Sequence, residues 1–141
     1  MTSTLLYRIS AFVLVLFAAG HTLGFMQFKA PTPEGVAVQQ AMDNVRFNMG
    51  AKSYSYGDFY RGFGLFCTAY LLFLAFLSWH MGNMARNTPQ AIGPLGWVFC
   101  GLQVVGIGLS WRYFVLPPTI FSAVLAILTG WAAWLANAAK V

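Results

Sequence analysis

His21 stands near the end of FVLVLFAAGHTLGF (residues 12–25), an oily run that closes on an imidazole and the hydroxyl of Thr22, set between Gly20 and Gly24. A second polar group, Asp58, Tyr60 and Arg61, occurs in GDFYRGFG (residues 57–64), and the connection between the two supplies Glu34, Asp43 and Arg46. All three acids of the chain therefore fall between residues 34 and 58. A carboxylate from Asp58 or Glu34 that gripped one ring nitrogen of His21 would set the tautomer at the other. That would create an acid/base centre, with His21, Asp58 and Glu34 as its catalytic groups, for an apolar substrate arriving from a bilayer. A pocket without catalysis would use His21, Thr22, Tyr60, Arg61 and, from a later apolar run, Gln103 as ligand-binding residues. The same side chains could instead do no more than tie a loop to its helices, since Asp58 and Arg61 have the i,i+3 spacing of a helical ion pair.

Other chemistries are poorly served. His80 lies 19 residues beyond Arg61, about 28 Å along a helix, so His21 and His80 cannot clamp one haem within a single chain. His80 follows Trp79 and reads as an interfacial residue. No cluster of Cys, His and carboxylates has metal-ligand spacing, so no metal site is expected; an intermolecular haem or a single-histidine site stays open, and the cofactor is unknown from sequence. Cys67 and Cys100 sit in apolar runs without a CxxC, which suits buried small hydrophobes better than redox thiols. Phosphate loops, serine nucleophile elbows and HExxH patterns are missing from the sequence.

The elements that must position these groups follow from composition. Of 141 residues, 59% are hydrophobic and 8% charged, with mean hydropathy +0.66. Soluble domains carry about 25% charged residues, so the chain belongs in a membrane. Its net charge of +5 comes from single cations scattered from Arg8 to Lys140, with no stripe able to follow a nucleic-acid backbone. Basic residues that flank spans and face anionic headgroups account for them. One integral membrane domain over residues 1–141 is expected.

Four apolar runs approach the 20 or so residues needed to cross a bilayer: about 5–25, 59–81, 92–111 and 118–136. Their length without alternation predicts helices rather than barrel strands. The first resembles a signal peptide but lacks an A-x-A site and reads as a retained span. In the long connection, Thr32 and Pro33 form an N-cap and N1 pair with Glu34 in the first turn. Val38, Ala41, Met42, Val45 and Met49 then share a face, which predicts an amphipathic helix over about 34–49. Ser55 and Asp58 have capping-box spacing at the start of the second span. The predicted fold is all-α, a four-helix transmembrane bundle with a short amphipathic helix in the first connecting loop. Arg8, Arg86 and Lys140 oppose Lys29, Arg46, Lys52, Arg61 and Arg112 across the membrane. The positive-inside rule then does not support a periplasmic long loop, and orientation stays open.

Glycines at 20, 24, 62, 64, 93, 96, 101, 106 and 108 would let helices approach closely or leave room for a flat ligand. Gln103, if it faces inward, needs a partner such as Thr68, Tyr70 or Ser110.

The order of GHTLGF, PTPEG, AMDNVRF and GDFYRGFGL resembles that of a group of small bacterial four-span integral membrane proteins of unknown function, over most of residues 8–80. The resemblance implies a bacterial cytoplasmic membrane and carries no mechanism. In size and span count the chain is also similar to four-helix oxidoreductases of the vitamin K epoxide reductase type, but their paired redox cysteines are lacking, which excludes that assignment. Three functions follow: binding a lipid-like or quinone-like molecule near the loop-side end of the bundle, serving as an accessory subunit of a larger membrane complex, or catalysing acid/base chemistry such as isomerisation of an isoprenoid-like substrate. The expected partners are membrane lipids, with a hydrophobic small molecule or a partner membrane protein, and no nucleic acid.

Overall fold

A computed structural model describes residues 2–138. Met1 and residues 139–141 lie outside the described residues, and with them Lys140 of the charge count above. The elements in chain order are α1 (Ser3–Met26), α2 (Pro33–Asn44), β1 (Arg46–Met49), β2 (Lys52–Ser55), α3 (Tyr56–Asn87), a 3-10 turn at Pro89–Ala91, α4 (Gly93–Tyr113) and α5 (Leu116–Ala138). Helices α1, α3, α4 and α5 are each long and apolar enough to cross a membrane. Their outward side chains are those of a lipid-facing surface: Phe12, Leu16, Phe63, Phe66, Phe73, Phe76, Val98 and Ile127 are all well exposed. The chain is an all-α four-span integral membrane protein with a short helix in its first connection. Helix α3, with 32 residues, is about 48 Å long and outruns a hydrocarbon layer of about 30 Å, so its polar ends extend beyond the apolar slab.

Two compact units make up the fold. The first comprises Met1–Ala18 with Leu71–Val141, and the second Ala19–Tyr70. In the first, Leu6, Tyr7 and Leu14 of α1 pack with Leu71, Ala75 and Met81 of α3, Phe99 of α4 and Leu125, Ala132 and Ala136 of α5. Small residues set the α4–α5 approach, because a methyl group at Gly96 would press on Ala133, one at Gly106 on Ser122 and one at Gly130 on Cys100. The spans are stitched by hydroxyls donating to backbone carbonyls: Ser78 Oγ reaches Tyr7 O at 2.8 Å and Ser3 Oγ reaches Ala132 O at 2.8 Å. In an apolar medium such bonds substitute for the hydrophobic drive that lipid does not provide.

The second unit departs from the expected connection. Helix α2 starts as predicted: Thr32 accepts the Gly35 amide at 3.1 Å, with Pro33 at N1 and Glu34 in the first turn. It stops at Asn44, however, and residues 46–55 form an antiparallel hairpin in the place of its expected last turn, with Arg46 opposite Ser55 and Met49 opposite Lys52. Gly50 carries the reversal with φ of 62°, while Ala51 stays at negative φ, the pattern of a type II′ two-residue turn. The half-buried stripe of α2 is Gly35, Gln39 and Met42, with Ala41 and Val45 exposed. Rings hold the hairpin to α3: Phe47 lies 5.0 Å from Tyr56 and 5.3 Å from Phe59, and Tyr54 meets Phe59 edge-on at 6.1 Å.

Gly20, Gly24, Gly62, Gly101 and Gly108 have open space where a side chain would stand. Among the described residues nothing lies within 4 Å of where their side chains would stand, unlike Gly64, Gly96 and Gly106. Cys67, expected inside, is exposed, and half-buried Cys100 points at the Ala126 carbonyl at 3.4 Å.

Candidate functional site

The start of α3 is built by a reciprocal cap. Ser55 N donates to Asp58 Oδ2 at 2.9 Å and Asp58 N donates to Ser55 Oγ at 3.0 Å, so two amides with no helical partner are satisfied. The other Asp58 oxygen accepts from Arg61 Nη2 at 3.0 Å, one turn on. Arg61 Nη1 donates to Asp43 Oδ1, also at 3.0 Å. Arg61 thus bridges two carboxylates and fastens the end of α2 to α3. The approach is close enough that a side chain at Gly57 would collide with the Asp43 carboxylate. These charges are about half exposed, so the triad fixes geometry more than it adds stability.

His21 serves a different contact. Its Nε2 lies 3.1 Å from the Gly64 carbonyl oxygen. A carbonyl can only accept, so Nε2 carries the proton, and Nδ1 is the acceptor of the neutral ring. Thr68 Oγ1 donates to the same carbonyl at 3.2 Å and is 2.8 Å from Thr22 Oγ1. The ring of Phe25, tilted against His21 at 5.2 Å between centroids, rests on Gly64, where a methyl would come within 2.7 Å of it. His21, Thr22 and Phe25 of α1 therefore form one seam with Gly64 and Thr68 of α3.

Between this seam and the connector lies a cleft of about 670 Å³. Phe25, Met26 and Phe28 form one wall, Gly35, Val38, Gln39 and Met42 of α2 another, and Gly57, Tyr60 and Leu65 of α3 a third, with Ala30 and Pro31 between them. Asp43 and Arg61 stand at its polar edge. Gln39 braces the wall, since its Oε1 accepts from Ala30 N at 3.3 Å and its Nε2 donates to Phe28 O at 3.5 Å. Its volume falls within the range of small-molecule pockets and its lining is mostly apolar.

The residues expected from sequence divide accordingly. Tyr60 and Arg61 line the cleft. His21 and Thr22 lie behind it in the seam, outside the lining. Glu34 is exposed in the first turn of α2. Among the described residues no hydrogen bond joins any two of His21, Asp58 and Glu34. Gln103 belongs to the other unit, where it is 5% exposed and its Nε2 has no hydrogen-bond partner among the described residues. Of its expected partners, Thr68 is engaged with Gly64 and Thr22, and Tyr70 is 64% exposed. Sequence reasoning passed over Gln39, Met42 and Asp43 as lining, because their phase on α2 depends on where that helix meets α3. His80 is exposed and stacks on Phe76 at 6.3 Å. Among the described residues no three His, Cys, Asp or Glu side chains are grouped to hold a metal ion.

Comparison with protein-family models, curated proteins and solved structures finds no match to this chain. Its functional reading therefore rests on its own residues.

Proposed function

We propose that this membrane protein binds a lipid-like or quinone-like small molecule in the cleft between the end of α1, the helix α2 and the start of α3. The carrying observation is the cleft itself, about 670 Å³ with an apolar lining and the polar edge of Tyr60, Arg61 and Asp43. In this reading the apolar body of the ligand lies against Phe25, Val38, Met42 and Leu65, and the Tyr60 hydroxyl meets its polar end. Arg61 already bridges two carboxylates, so the edge does not present a free cation, and a neutral head suits it better than an anionic one. His21 and Thr22 act as positioning residues that hold α1 on α3. Binding is favoured over an acid/base enzyme because His21 is directed to a backbone carbonyl, Asp58 to its cap and to Arg61, and Glu34 to the exterior. We further place the chain among the small bacterial four-span proteins that it resembles, in the cytoplasmic membrane.

The test is gentle purification in mild detergent and mass spectrometry of whatever accompanies the chain. A hydrophobic small molecule should travel with the wild type and be lost from Val38→Trp, which fills the cleft from an exposed position. Equal retention by Val38→Trp overturns the reading. A second reading, an accessory subunit of a larger membrane complex, is favoured by the open space above Gly20 and Gly24 on α1, a face onto which another helix backbone could close. Co-purification of a larger membrane protein, lost on Gly24→Leu, would support it.

A further inference from the structure

A second groove, independent of the cleft, lies wholly in the first unit. It has a volume of about 270 Å³ and runs between α1 and α3, with Ala11 and Ala75 at its floor and Phe12, Phe76 and Trp79 as walls. Val15 and Leu72 close its far end. From Trp79 to Leu72 is seven residues, about 10 Å of helix, and both helices here are spans. The groove is therefore a slot in the lipid-facing surface, long and narrow enough for a stretch of hydrocarbon chain.

What stands at its other end gives the slot a specific occupant. The Arg8 guanidinium lies over the Trp79 ring at 5.0 Å, and its Nη2 donates to Asn83 Oδ1 at 3.2 Å. Both partners are neutral. Among the described residues the ion pairs involve Arg61 alone. Arg8 is thus a cation positioned by a ring and an amide, and among the described residues it pairs with no carboxylate. A planar guanidinium at the end of a span matches a phosphate geometrically as well as by charge, and anionic headgroups concentrate where such residues emerge.

We propose that Arg8 and this groove form a binding site for one anionic phospholipid, with the phosphate on Arg8 beside Asn83 and one acyl chain in the slot against Trp79, Phe76 and Val15. Trp79 serves both halves, carrying the guanidinium on its face and closing the slot. A free phosphate would satisfy Arg8 but leave the groove unused; a zwitterionic lipid would fill the groove but bring its own cation to Arg8.

The full chain, reconstituted in nanodiscs of mixed phosphatidylcholine and phosphatidylglycerol and released for native mass spectrometry, tests this. The wild type should retain one phosphatidylglycerol in preference to phosphatidylcholine. Arg8→Gln should weaken that preference about fivefold, the effect of one interfacial cation. Val15→Trp, an outward-facing change that blocks the slot and leaves Arg8 intact, should also lose the retained lipid, and it carries the test if Arg8→Gln fails to fold. Arg112→Gln, which alters a cation beside Tyr113 at the end of α4, should change nothing. Equal retention of the two lipids, an unaltered Val15→Trp, an equal loss in Arg112→Gln, or displacement of the lipid by millimolar inorganic phosphate would each overturn the assignment.

Discussion

The ring of Phe25 occupies the space that a side chain on Gly64 would need, with Cε2 2.7 Å from where a Cβ would be. That contact, with the His21 bond to the Gly64 carbonyl beside it, makes one glycine the meeting point of α1 and α3 behind the cleft. Gly64→Ala should displace the ring and cost about 1–3 kcal/mol, the usual penalty for overpacking. Thermal unfolding in detergent, with Gly20→Ala and Gly24→Ala as comparisons, checks it. Those two positions are open, and alanine there should be neutral or mildly stabilising, because glycine is the poorer helix former.

The Ser55 cap should be separable from the charges around it. Ser55→Ala removes the acceptor for the Asp58 amide and is expected to cost about 1 kcal/mol, with faster hydrogen exchange confined to the first turn of α3. Exchange unchanged at residues 56–58 would show that the cap contributes nothing there.

Asp43→Asn should act on the connector rather than on the spans. It weakens the link from α2 to Arg61 while the Asp58 contact with Arg61 persists. Since the pair is half exposed, the melting temperature should barely move, whereas exchange across residues 33–44 should rise by no more than a few-fold and more at low salt than at high. A large drop in melting temperature would contradict the weak contribution assigned to this triad.

Gln103 offers a prediction of opposite sign. Its Nε2 is buried without a partner among the described residues, and an unsatisfied buried group costs about 1–3 kcal/mol. Gln103→Leu should therefore raise stability in detergent by about 1 kcal/mol. Destabilisation instead would mean that the amide makes a contact in the membrane that the isolated chain does not contain.

Much of this architecture was legible in the sequence because it is local. Thr32 with Pro33, and Ser55 with Asp58, announce helix starts through side chains that bond amides three residues away, so no tertiary knowledge is needed. The spans are equally plain, since uninterrupted apolar runs of that length must satisfy their backbones as helices. The hairpin was not read because Val45, Phe47 and Met49 fit a period of two as well as Val45 and Met49 fit a helical face, and only Gly50 marks the turn. The partner of His21 was beyond reach for another reason: it is a backbone carbonyl, which any residue type can supply. Nor could spacing reveal the rotation of α1, which turns His21 and Phe25 onto α3 and leaves Gly20 and Gly24 uncovered.

The Gly50–Ala51 reversal also provides a handle on orientation. Ala51 is exposed at the tip of the hairpin, in a polar stretch that neither spans a bilayer nor lines the cleft. Ala51→Cys would place a thiol in water on one side only, while Cys67 and Cys100 stay within apolar helices. A membrane-impermeant maleimide applied to intact cells, and then to broken ones, would read from that single reporter which face of the membrane the connector occupies.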